Sequence, residues 1–350
     1  MYMLAMKNRI SELKALDLLY KNGVIGEGFM PLVEVIRLEK GDGDWSSAQL
    51  SCGKTLEKLN DLLPGHRVFV DFYRCDLSRF KRLDGAKCAL VFRWNNDLEL
   101  YSSCLRQAAA FANIVPVVAI KEGVSKLSPE ELERLVSEVK SIQGSPRVAV
   151  RIEDYEGYDE VLKKVLSPDD FLIYDINETP LPSKIEEIDE LESLGIEAKK
   201  ILLCSPRRRT VKNSTYVDGA FIDNSHIQTY SDYGFDGVGD YAGLKDDLPV
   251  AGGGAKGCAL ALLYEGAGNS FRTFVNPDSS LGTRGFRSVV GDILGRRAEL
   301  EGHVGECLAL EMISEQAAGD HFGNWQTWIT YTVVRYVQQL YLAHGNSYNL

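Results

Sequence analysis

The chain has 350 residues, 45% of them hydrophobic and 25% charged, with a formal net charge of −11 at pH 7. That balance is ordinary for a globular protein with a large core, and it excludes a surface built throughout to track nucleic-acid phosphates. The seven cysteines include no C-x-x-C pair, and Cys88, Cys204 and Cys258 sit in apolar runs, as free thiols do in a reducing cytoplasm rather than in a disulfide framework.

At the N-terminus, MYMLAMKNRISELKALDLL lacks a basic region followed by an unbroken apolar stretch, so no signal peptide is expected. Apolar runs rich in Val, Ile and Phe then recur at 30–37, 67–73, 114–121, 147–154, 170–177 and 200–206. A weaker run lies at 226–235 and an eighth at 258–266. They are continuous rather than alternating, the pattern of parallel strands covered on both faces.

Helical patterns separate the runs. They cover SSAQLSCGKTLEKLNDLL, residues 100–113, YDEVLKKVL and SKIEEIDELESLG. The clearest is SPEELERLVSEVKSIQG, with Ser128 as N-cap, Pro129 in the first turn, Glu131 closing a capping box and Gly144 as stop. Residues 267–298 are rich in Gly, Arg and Ser, and helices are expected near 299–317 and 324–342. The last carries Trp325, Trp328, Ile329, Val333, Tyr336, Val337 and Leu340 at helical spacing. Its Gln and Arg residues make it a packed helix, and no segment reads as a membrane span. Eight βα-like units predict a single-domain (β/α)8 TIM-type barrel, core 1–266, with 267–350 as closing helices packed on it. An open doubly wound sheet is the alternative, although no G-x-G-x-x-G turn follows the first strand.

In such folds ligands bind outside the carboxyl ends of the strands. Polar residues there are Glu34, Asp71, Arg74, Lys121, Glu122, Arg151, Glu153, Asp154, Asp175, Asn177 and Glu178. The run at 200–206 leads into SPRRRT, with Arg207, Arg208 and Arg209. The stretch SDYGFDGVGDYAGLKDD (231–247) follows, where Asp232, Asp236 and Asp240 are interleaved with glycines. Those glycines argue against one helical face and for a strand end meeting a turn, with Asp236 and Asp240 near the mouth. Glu34 and Asp71, inside apolar runs, need a buried partner, and Arg151 is the natural one. Asp71, Asp236 and Asp240 form a candidate Mg²⁺ or Mn²⁺ set, or the ring of carboxylates supplies a general acid and base. The three arginines either grip a phosphate or an acidic partner, or balance acidic neighbours. GGGAKG (252–257) departs from a P-loop, GDGDW (41–45) from a calcium loop, and the five histidines show no metal spacing.

Tyr2, Lys7 and Glu12 before a Leu-rich helix, PLVEV (31–35), FDGVGDYAGL (235–244), CALALLYEG, FRTFVNP (271–277) and WQTWITYTVVRYV follow one another along the chain. This order resembles the beta protein family, named for a protein of T-even bacteriophages and widespread in bacterial genomes. The family's pattern carries histidines in the last helix, where this chain has Thr330 to Val334. The resemblance implies a barrel with no settled activity, associated with phage or bacterial defence loci, and transfers Glu34, Asp71, Gly239, Asp240 and Tyr241 as a site. Two functions follow as expectations. One is a cytoplasmic barrel acting through a protein partner or ligand in phage–host conflict, with Arg207–Arg209 as the contact. The other is a metal-assisted hydrolase of a phosphoester or glycoside at the barrel mouth.

Overall fold

A computed structural model of the chain describes every residue except 44–49, 81, 122, 125–126, 143–146, 252–256, 302–306 and 349. Glu122, Gly144, most of GGGAKG and the end of GDGDW lie outside the described residues. In chain order the strands are β1 (Tyr2–Lys7), β2 (Phe29–Val35), β3 (Val68–Phe72), β4 (Ile114–Ile120), β5 (Ala149–Ile152), β6 (Phe171–Asp175) and β7 (Lys199–Leu203). They continue with the short β8 (Phe221–Asp223), then β9 (Gly237–Asp240), β10 (Ala259–Glu265) and β11 (Ser270–Asn276). β1 to β7 and β9 close an eight-stranded parallel barrel, with β9 pairing both β7 and β1. β10, β11 and β8 form a separate antiparallel sheet. The expected barrel is therefore present, and the open sheet is excluded.

Two of its eight strands differ from those expected. YMLAMK supplies the first; its Met and Ala residues carry little β preference, and burial on both faces holds it in place. The eighth is GVGD, too short and glycine-rich to read as a strand, while the run at 226–235 is a turn of helix (His226–Thr229) and a 3-10 turn (Tyr230–Tyr233). The run at 258–266 is β10, outside the barrel. It imitated a barrel strand because its residues are buried along nearly its whole length, partly beneath the closing helix. A core boundary at 266 falls inside the β10–β11 hairpin, whose turn spans Gly266–Gly268.

Alternation along each strand builds two cores. Outward residues pack against the helices in one large cluster, while Met3, Ala5, Leu32, Phe69, Val117, Ala149, Phe171, Ile173, Ile201 and Leu203 fill the interior. The helix Pro129–Ser141 has the expected capping box, Ser128 and Glu131 exchanging bonds with each other's backbone. The closing helix, Trp325–Ala343, buries its face against the helix Ile10–Lys21, and the Thr330 hydroxyl donates to the Ser11 carbonyl at 2.9 Å. Helices Phe286–Gly295 and Leu308–Ala318 complete this end of the molecule.

Candidate active site

Above the apolar interior the inward positions turn polar, one strand after another. Register explains how they meet: Lys7 lies level with Glu34, Glu34 with Asp71, and Ala119 with Arg151. Arg151 is at the centre and fully buried. Its Nε donates to Asp175 at 2.8 Å, Nη1 to Glu34 at 2.6 Å and Asp71 at 2.9 Å, and Nη2 to the Tyr241 hydroxyl at 2.9 Å. Tyr241 in turn donates to Glu34 at 2.7 Å. An arginine with five planar donors suits such a hub, since three carboxylates buried together would otherwise repel one another.

The loop after β9 folds across the mouth and latches there. Asp246 accepts from Lys7 Nζ at 2.6 Å and from the Tyr73 hydroxyl at 2.8 Å, and Lys7 also reaches Glu34 at 2.5 Å. The Lys7 ammonium sits 4.1 Å from the centre of the Tyr73 ring, a cation–π contact in a water-poor site. Lys121 lies 3.6 Å from Asp175 and 3.9 Å from Glu153. Arg209 bonds Glu178 at 3.0 Å and lies 3.5 Å from Asp246. A cavity of about 220 Å³ opens here, lined by Arg79, Glu153, Asp175, Glu178, Lys184 and Arg209.

The carboxyls of this layer are not equivalent. Burial raises Asp71 above the usual aspartate range although Arg151 and Lys121 pull the other way, and its Oδ1 is buried without a hydrogen bond among the described residues. Burial likewise raises Glu153 against the pull of Lys121. For Asp175 and Asp246 the cations win over burial. Arg151 and Lys121 hold Asp175 below the ordinary range, and Lys7 and Lys121 hold Asp246 well below it. Burial pushes the Tyr73 and Tyr241 phenols well up, so both remain hydrogen-bond donors.

The sequence-derived residues divide clearly. Glu34, Asp71, Arg151, Asp175 and Tyr241 converge. Gly239 faces the interior as backbone, where a Cβ would stand 2.7 Å from the Met3 carbonyl oxygen. Asp240 is one residue out of phase and points outward. It accepts from Tyr2 at 2.9 Å, Tyr336 of the closing helix at 2.6 Å and the Ala242 amide at 2.7 Å, and it lies 3.0 Å from His226 Nε2. Asp236 lies before β9, at the opposite end of the barrel, where its carboxylate accepts from the Lys200 amide at 2.8 Å.

Asp71, Asp236 and Asp240 thus face three different surroundings and do not form a Mg²⁺ or Mn²⁺ site. Among the described residues no group of three His, Cys, Asp or Glu side chains could hold a metal ion. The converging carboxylates are instead taken up by Lys7, Lys121 and Arg151. The arginine triplet also splits: Arg207 bonds Asn213 at 3.1 Å and Arg209 joins the mouth, which leaves Arg208 exposed. Asp246, Tyr73 and His226 escaped sequence reasoning as site residues. Asp246 does lie in the glycine-rich stretch after the last barrel strand, but no periodicity marks a residue in a loop.

No protein-family model matches the chain, and no curated protein sequence matches it. Among the described residues no helix is long and apolar enough to cross a membrane.

Proposed function

We propose that this barrel is an enzyme that acts at its carboxyl end on a small anionic glycoside or phosphoester, by proton transfer through Glu153 and Asp175. The observation that carries the reading is that both carboxyls line one opening and lie within 4 Å of the same ammonium, Lys121 Nζ. Their surroundings drive them apart, Glu153 upward by burial and Asp175 downward by Arg151 and Lys121. Such a pair offers one protonated donor and one ionised acceptor, the division of labour that acid–base cleavage needs. Arg79, Lys184 and Arg209 on the same wall supply positive charge for an anionic group. Arg151 keeps Asp175 ionised and in place, and the Lys7–Asp246 contact holds the β9 loop over the mouth.

The test is hydrolysis of a panel of nitrophenyl glycosides and phosphate esters, with Glu153→Gln as the comparison. Loss of the acid should lower kcat by roughly 10²- to 10⁴-fold. In the wild type, activity should fall on the alkaline side as Glu153 deprotonates, at a pH above the ordinary glutamate range; Glu153→Gln should remove that limb. An active panel member left untouched by Glu153→Gln, or no turnover of any member, refutes the assignment.

A second reading has its own observation. Val217 and Phe221 are 70% and 54% exposed, before and at the start of the short edge strand β8, where a partner chain has apolar surface and an open strand to meet. It accords with a partner-dependent role in phage–host conflict, as the family resemblance implies. Purification from phage-infected cells should then yield a stoichiometric partner that Phe221→Asp loses. A partner retained by that variant removes this surface from the account.

A further inference from the structure

Asp240, excluded from the mouth, builds a different arrangement on the outside of the barrel. Its Oδ1 accepts from the Tyr2 hydroxyl and the Ala242 amide, and its Oδ2 accepts from the Tyr336 hydroxyl. The fourth contact, His226 Nε2 at 3.0 Å from Oδ2, completes the acceptor capacity of a carboxylate. Three of these partners are donors to a carboxylate whose oxygens are acceptors, so the ring proton of the fourth contact belongs on Nε2. The other ring nitrogen, Nδ1, is then left with a lone pair, and it makes no hydrogen bond among the described residues. A buried carboxylate that fixes an imidazole tautomer in this way is how proteins aim the second nitrogen at a ligand.

His226 borders a cavity of about 480 Å³ between the loops that follow β6 and β7 and the helical turn it begins. Asn177, Glu178, Cys204, Arg208 and Ser225 also line it. Arg208 is the member of the arginine triplet whose guanidinium makes neither a hydrogen bond nor an ion pair among the described residues, whereas Arg207 bonds neutral groups and Arg209 pairs with Glu178. A guanidinium and an imidazole lone pair, neither bonded among the described residues, therefore line one cavity. We infer that this cavity is a second ligand site, taking a small anion that also carries an alcohol hydroxyl several bonds from its anionic group: Arg208 binds the anionic end and His226 Nδ1 accepts the alcohol proton in a hydrogen bond. The segment Ile176–Thr179 borders both this cavity and the opening at the mouth. The inference nevertheless uses neither Glu153 nor Asp175, and it stands whether or not the mouth is catalytic.

Ribose 5-phosphate and inorganic phosphate are suitable probes, read by titration calorimetry and by long-range ¹H–¹⁵N spectra of ¹⁵N-histidine-labelled protein. Ligand-free His226 should show the Nε2-protonated tautomer. Ribose 5-phosphate should bind and move the Nδ1 resonance, and phosphate should bind more weakly without moving it. Arg208→Ala, at an exposed position that leaves folding intact, should weaken both by about tenfold. Glu153→Gln should leave both affinities unchanged; a loss in that variant would put the anion at the mouth and overturn the inference. So would an Nδ1-protonated ring, affinities indifferent to Arg208→Ala, or no binding of ribose 5-phosphate up to roughly 10 mM. Phosphate binding as tightly as the sugar phosphate would overturn the part assigned to His226.

Discussion

Lys7 and Asp246 are both buried, and they join the first barrel strand to the loop after the last. Removing one charge leaves the other in a water-poor site, so Asp246→Asn should destabilise the fold by about 3–5 kcal/mol at neutral pH. The sign with pH follows from the direction of the shift. Asp246 is held well below its unfolded value of about 4. Its contribution is therefore complete above that pH and fades as pH falls through the lower folded value. The wild type's advantage over Asp246→Asn should narrow in acid, as denaturant titrations across pH would show; a gap independent of pH would mean that Asp246 is not the ionised partner. Asp71 has the opposite sign. Its raised value favours folding in acid and opposes it as pH rises through that value. Asp71→Asn should accordingly cost less than Asp246→Asn at pH 7. Glu34, Asp71, Arg151 and Asp175 were legible because each is a polar residue inside or at the end of an apolar run, where alternation points it inward. Asp240 was misplaced because a strand end meeting a glycine-rich turn shows no alternation to set its phase, and its neighbour Tyr241 holds the inward position.

The weakest strand by sequence closes the barrel. β9 has glycine at both inward positions, and a Cβ on Gly237 would stand 2.9 Å from the carbonyl oxygen of Met1, just before the neighbouring first strand, and one on Gly239 2.7 Å from that of Met3 within it. Neither glycine has positive φ; what they provide is close approach. Gly239→Ala should therefore push β9 off β1 and cost roughly 3 kcal/mol, the upper end for an added methyl group in a packed core. Gly291, exposed in the middle of Phe286–Gly295 with nothing near a built Cβ, provides the contrast. Gly291→Ala should stabilise by roughly 0.5–1 kcal/mol through helix preference alone. Thermal denaturation of the two variants reads both effects; equal responses would show that the β1–β9 contact is not tight. The same glycines explain why this element was hidden: the property that lets it pack removes the side chains by which a strand is recognised. Helices such as Pro129–Ser141 were legible because caps and apolar stripes are local signals.

At the scale of the molecule, the C-terminal third is tied to the barrel by buried polar contacts as well as by packing. Tyr336 of the closing helix donates to Asp240 and accepts from Asn224, and its ring packs on Tyr2, Tyr264 and Phe271. The Phe271 ring covers Gly243, just past the last barrel strand, and a Cβ there would stand 2.7 Å from it. Tyr348 stacks on Tyr2 and donates to the Val24 carbonyl at 3.0 Å. A unit that shares its aromatic core with β1 and β9 has no separate core to retain when those strands leave. The whole chain should therefore unfold in one step. Tryptophan offers the means to see it, because Trp94 packs on Phe72 in the barrel while Trp328 stacks on Phe286 in the C-terminal part. Variants that keep either Trp94 alone or Trp328 alone, with Phe at the other tryptophan positions, should give urea midpoints that coincide with each other and with far-ultraviolet circular dichroism. Tyr336→Phe removes a hydrogen bond to a buried carboxylate and should lower both midpoints together, by about 1.5–3 kcal/mol of stability. Two separate transitions, or a Tyr336→Phe effect confined to the Trp328 signal, would instead make the C-terminal third an independent domain resting on a self-sufficient barrel.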